Sequence, residues 1–169
     1  AGTMTIFKTK VSSATSNVIG VKQVRFDLQR TTSNATIAES TYKLFEDGID
    51  VTSLGSFATA SADTSVAGAD TAQIEFTFTS ERAIDSGGKV YEFKGDVAGT
   101  IGGAFVTKIA NNNTSQNTSD DYTAVAATDS TFTWTDRSAS GHAEATEDWM
   151  DDYLVKTINA SQTITEPTT

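Results

Sequence analysis

Ala72-Gln-Ile-Glu-Phe-Thr-Phe-Thr79 sorts its side chains by twos. Ile74, Phe76 and Phe78 fall on one side of an extended backbone, and Glu75, Thr77 and Thr79 on the other. Such a stretch is a β-strand with one buried and one wet face. Wound into an α-helix, the same three apolar residues would scatter around the cylinder.

The flanking segments repeat the pattern. Upstream, Leu54–Ala60 is a short strand, separated from 72–79 by the small-residue loop 61–71. Before it, Thr41-Tyr-Lys-Leu-Phe-Glu46 and Ile49-Asp-Val51 flank Asp47-Gly48, the dipeptide that supplies the positive φ angles of a two-residue type I′ hairpin. Val18–Arg30 is the longest extended candidate, with Val24, Phe26 and Leu28 inward and Arg25, Asp27 and Gln29 outward. Thr5–Val11 sets Phe7, Thr9 and Val11 against Ile6, Lys8 and Lys10, a candidate edge strand. Downstream, Ser80–Ile84 leads to a Gly87-Gly88 turn. Lys89–Val97 then opposes Tyr91, Phe93 and Gly95 to Val90, Glu92, Lys94 and Asp96. Ala104–Ala110, Tyr122–Ala126 and Thr131–Thr135 read as strands, Phe132 and Trp134 sharing a face, and Tyr153–Thr157 as a return to the sheet.

Asn111–Asp121 contains no apolar residue and reads as a loop. Ser138–Asp152 breaks the alternation. Thr146 can cap a short helical turn near residues 146–153, with Glu147 and Asp148 at the positive end of its dipole. These elements predict an all-β, antiparallel, Ig-like β-sandwich over residues 1–160 with that one helical turn. Residues 161–169 read as a tail or linker.

Composition narrows the function. A chain of 169 residues can bury a core without staples, and its nine Phe, four Tyr and two Trp supply bulk for it. The net charge of −10 excludes the basic footprint of a nucleic-acid binder and opposes docking on anionic lipid. With no cysteine there is neither a disulfide framework nor thiolate chemistry. No signal-peptide pattern opens the chain, and no apolar run nears the ~20 residues of a membrane helix.

Candidate sites are few. His142, the one histidine, has many serines and acids to choose from but no Gly-x-Ser-x-Gly elbow, so a loop histidine is the plainer reading than a catalytic one. Twenty-two acids offer no selected pair for glycoside hydrolysis, and no catalytic residue is predicted. The densest acidic cluster places Asp148, Asp151 and Asp152 on one face of the expected helical turn. Hard oxygen ligands there would suit calcium, the one cofactor considered, although the spacing is not that of an EF-hand and a solvated acidic face is the ordinary reading. Trp149 and Tyr153 are the candidate sugar-stacking pair, against a reading in which they pin the turn to the sandwich. Five Asn-x-Ser/Thr sequons occur; three of them, Asn112, Asn113 and Asn117, cluster in the polar loop as candidate glycosylation sites.

Three segments carry a family resemblance. Tyr42-Lys-Leu-Phe-Glu-Asp-Gly48 is similar to a hairpin of bacterial surface modules. Ile74–Thr79 followed by Ile84–Val97 looks like their paired strands. Thr131–Ser138 with His142, Asp148-Trp149 and Tyr153-Leu-Val155 is similar to their closing part. Together these resemble Ig-like β-sandwich modules of large secreted bacterial surface proteins, surface-layer or adhesin-like. The resemblance implies a non-catalytic structural role outside the cell, at its surface. Its partners would be copies of itself, neighbouring modules of the same protein, or cell-surface glycan. Thr3–Val11 is the expected contact strand.

Overall fold

Strand follows strand along the chain, since Thr-rich segments with branched or aromatic inward residues suit a pleated surface. The computed structural model describes residues 2–30, 36–61, 71–99, 103–109, 117–123, 132–151, 155 and 161–165. Among these the strands are β1 (Gly2–Val11), β2 (Ile19–Arg30), β3 (Thr36–Ile37), β4 (Lys43–Glu46), β5 (Ile49–Asp50), β6 (Gly55–Ser61), β7 (Thr71–Ile84), β8 (Lys89–Ala98), β9 (Ala104–Ile109), β10 (Asn117–Asp120), β11 (Phe132–Thr135), β12 (Trp149–Asp151) and β13 (Ser161–Thr165). Among the described residues, short 3-10 turns occur at Glu39–Thr41 and Thr52–Leu54.

A five-stranded sheet runs β1-β8-β4-β5, with β3 beside β4 on the same edge of β8. An eight-stranded sheet runs β10-β12-β11-β2-β7-β6, and its second arm attaches β9 to β2 and β13 to β9. All pairings are antiparallel. The protein is an antiparallel β-sandwich.

The opening stretch lies in β7, where Ile74, Phe76 and Phe78 are buried as their alternation requires. They meet a ladder of rings from both sheets. Phe26 stacks on Phe93 with centroids 4.9 Å apart, Tyr42 meets Phe93 edge-on at 5.2 Å, and Phe57 reaches both Phe76 and Phe93. Such pairs add to the area they bury. At the hairpin Asp47 and Gly48 have φ of 50° and 83°, the left-handed pair expected from the dipeptide.

Several expectations change. Alternation in β1 breaks at a bulge between Thr5 and Phe7, so Ile6 and Phe7 are both buried rather than on opposite faces. Among the described residues the helical turn near 146–153 is not formed: residues 144–147 make turns and bends, and Trp149–Asp151 is a strand held between β10 and β11. With Trp149, Met150 and Asp151 all buried, that strand has no period of two to betray it. Asn117–Asp120, within the expected polar loop, pairs with β12 through its backbone. Tyr122 and Thr123 have helical rather than extended backbone, and Ala124–Ala126 lie outside the described residues. Ser161–Thr165, expected to begin a tail, is a strand in register with β9. The loops 31–35, 62–70 and 111–116, and most of Tyr153–Thr157, fall outside the described residues.

A second irregularity shapes one end of the sandwich. Val21 pairs with Arg82 and Gln23 with Thr77, so four residues of β7, Phe78–Glu81, stand opposite Lys22 alone. The bulge swings Glu81 over Gly20, where a Cβ would collide with the Glu81 carboxylate and the Thr135 methyl. Lys22, nearly buried, ties the bulge down by donating to the Thr79 carbonyl at 2.8 Å and to the Glu144 carboxylate.

Candidate functional site

Two clusters of charged side chains among the described residues join separate parts of the fold. Glu46 ends β4 on the inward parity of Leu44 and is buried. Its carboxylate accepts two hydrogen bonds from Arg82 of the opposite sheet, at 3.0 and 2.7 Å, one from Lys89 at 2.6 Å and one from the Tyr91 hydroxyl at 2.8 Å. Burial by itself would raise its pKa, but the bonds from Arg82, Lys89 and Tyr91 outweigh that and bring it from 4.5 to about 2. Burial and the same carboxylate push the Tyr91 phenol up. Two cations and a hydroxyl thus converge on one acid between the sheets.

A pH dependence follows. Glu46 is depressed on folding, so its contribution is complete above the unfolded value of 4.5 and is lost as pH falls towards about 2. The loss should reach about 3 kcal/mol from this group. Asp148 is lowered too: burial opposes the shift, while bonds from Thr146, the Ala139 amide and His142 produce it, so it acts in the same direction. Urea midpoints measured from pH 7 to pH 2 should stay level to about pH 5 and then fall, with a shallower fall in Glu46→Gln. Parallel curves for the two proteins would refute the assignment to Glu46.

The second cluster closes the loop that precedes β12. His142 Nδ1 stands 2.8 Å from Asp148 Oδ2, and Nε2 3.0 Å from Glu81 Oε2 on the β7 bulge. Arg137 reaches the other oxygen of Glu81 at 2.9 Å. Asp148 also accepts from Thr146 Oγ1 at 2.6 Å and from the Ala139 amide at 3.3 Å. Both ring nitrogens therefore face carboxylates. Beneath the histidine lies Trp149, 1% exposed, its Nε1 donating to the Ala143 carbonyl at 3.1 Å. One flank of the indole meets His142 at 5.5 Å and another meets Tyr122 edge-on at 5.4 Å. Lys22 lies 5.2 Å from the Tyr122 ring centroid.

Beside this cluster, between the 12–17 turn and strands β11 and β12, runs a groove of about 1280 Å³. Phe7, Val11, Ile19, Phe132, Trp134 and Met150 supply apolar wall, and Arg137 and His142 stand where the two features meet. Trp134 is half-buried there, packed against the core on one side.

The expected sites fare differently. Asp148 spends its oxygens on His142, Thr146 and Ala139, while Asp151 sits buried in β12 opposite Thr133 and Asn117; Asp152 lies outside the described residues. Among the described residues, no group of three His, Cys, Asp or Glu is placed to hold a metal. Trp149 is a clamp with its ring covered, which removes it as a stacking platform; Tyr153 lies outside the described residues. Asn112 and Asn113 also lie outside them, and the Asn117 backbone belongs to β10. Glu46, Arg82, Glu81 and Lys22 were not singled out from sequence. For Glu46 a signal existed, since it shares the inward parity of Leu44 one pleat from the hairpin turn.

Compared with known proteins, the chain matches no protein-family model, no curated protein and no solved structure.

Proposed function

We propose that this chain is a non-catalytic structural module that works outside the cell, associating with copies of itself in a cell-surface assembly such as a surface layer or filament. The observation that carries this reading is the use made of its buried ionisable groups. Glu46 binds one sheet to the other through Arg82, and Glu81, His142 and Asp148 lock the β12 approach onto the β7 bulge. Groups with the chemistry of acids and bases are consumed as cross-braces, which suits a part that must keep its shape under load. The likeness to bacterial surface modules supports the extracellular setting. Sedimentation velocity and negative-stain imaging of the purified chain over a concentration series, with and without calcium, test the reading. Concentration-dependent assemblies are the expected result, and monodisperse monomers in every condition would overturn it.

A second reading rests on the groove. Trp134 is half-buried in a wall flanked by the hydroxyl-rich 12–17 turn, a combination suited to stacking and hydrogen-bonding a sugar. A glycan or adhesive function would then sit at Trp134 rather than Trp149. Glycan-array binding abolished in Trp134→Ala, with the thermal midpoint held within a few degrees, would favour it over self-assembly.

A further inference from the structure

We infer that the self-association interface is the open margin of β6, and that its partner is β6 of a second copy, paired antiparallel across a two-fold axis. This rests on the self-association reading above and names the surface responsible. Exposed sheet margins present unpaired backbone N–H and C=O groups and invite another strand unless they are guarded. In this fold the margins are treated unequally. β1, the contact strand expected from sequence, carries Lys8 and Lys10, and the Gln162 side chain of β13 occupies its backbone: Lys8 N–H donates to Gln162 Oε1 at 2.8 Å, and Gln162 Nε2 donates to the Lys8 carbonyl. The same bridge turns β13 towards β1. β5 and β10 are two and four residues long, and each contains an aspartate.

β6 has none of these guards. Its seven residues, Gly-Ser-Phe-Ala-Thr-Ala-Ser, include no charge and no proline, and among the described residues its backbone pairs only with β7. Ser56 and Ala58 are exposed, while Phe57 turns inward onto Tyr42 and Phe76. One side-chain bond touches its far end, Thr59 Oγ1 to Glu39 at 3.1 Å. A separate observation marks the same margin. Of the three large apolar residues that stand exposed among the described residues, Leu54, at 41%, immediately precedes β6 and Ile49, at 70%, lies on the hairpin that leads to it, while Val18 lies elsewhere, ahead of β2.

Given self-association, the charge pattern favours this margin as the place where two copies meet. With a net charge of −10, two copies repel over much of their surfaces. The residues of β6 itself carry no ionised group, so two margins meeting head to tail set none of their own charges opposite one another, and Leu54 adjoins the contact. Pairing of this kind is isologous and joins the two eight-stranded sheets into one.

The test is the double variant Ser56→Lys/Ala58→Lys, which sets like charges across the proposed seam while leaving the core untouched. Sedimentation equilibrium of the full chain should show self-association weakened about tenfold or more relative to the parent. Hydrogen exchange on the parent should show β6 amides gaining protection as concentration rises, a readout independent of the variant. Self-association unchanged in the double variant, with β6 amides exchanging at the same rate at every concentration, would overturn the β6 seam while leaving self-assembly standing. A parent chain that stays monomeric throughout would overturn both.

Discussion

Glu46→Ala should cost about 3–5 kcal/mol, because it strands two cations and a phenol that had shared one acceptor. Arg82, Lys89 and Tyr91 all direct their polar ends at that carboxylate, and Arg82 reaches it from the opposite sheet. Removing the acid leaves those groups half-desolvated without a partner, which is worse than never having placed them there. The contrast is Lys43 with Asp50, an ion pair at 3.5 Å whose members are 53% and 41% exposed. There water screens the attraction, and Asp50→Ala should cost less than about 1 kcal/mol. Chemical denaturation of both variants at pH 7 separates the cases. Equal small losses would show that Glu46 is not a bridge between sheets.

Trp149→Ala is the second large effect. The indole is buried against His142 and Tyr122 and spends its N–H on Ala143, so truncation leaves a cavity and an unmatched carbonyl. A loss of about 3–5 kcal/mol is expected, or roughly 10 °C in thermal midpoint for a chain of this size. Because the ring holds the 142–149 loop, His142 and Glu81 should lose their mutual geometry as well. Near-ultraviolet circular dichroism would register this as a loss of aromatic signal. A variant that melts with the parent would return Trp149 to the surface and reopen the stacking role.

How far the sequence disclosed this molecule depends on where alternation survives. In β8, Tyr91, Phe93 and Val97 are buried while Glu92, Lys94 and Asp96 are not, as a period of two requires. The Asp47-Gly48 turn was equally plain, because few dipeptides accept two left-handed residues in succession. Alternation fails where a strand is covered on both faces or kinked. Trp149-Met150-Asp151 is buried throughout and so carries no period, and Ile6 and Phe7 share the interior only because the chain bulges at Ile6, between Thr5 and Phe7. β10 and β13 escaped notice for another reason: their pairing is made by backbone, which every residue possesses. The clusters were harder still. Glu46 and Arg82 are 36 residues apart and Glu81 and His142 are 61 apart, so nothing short of the sheet order places them together.

The Gln162 bridge has a mechanical side. It joins the first described strand to the last, so tension drawn between β1 and β13 falls at once on two hydrogen bonds at Lys8. Once that link parts, further pull meets two ladders, β1 along β8 from Gly2 to Val11 and the shorter β13 along β9 from Ser161 to Thr165. The domain would thus yield in two stages under stretching: a small early slip that can heal, then a stiff body that holds.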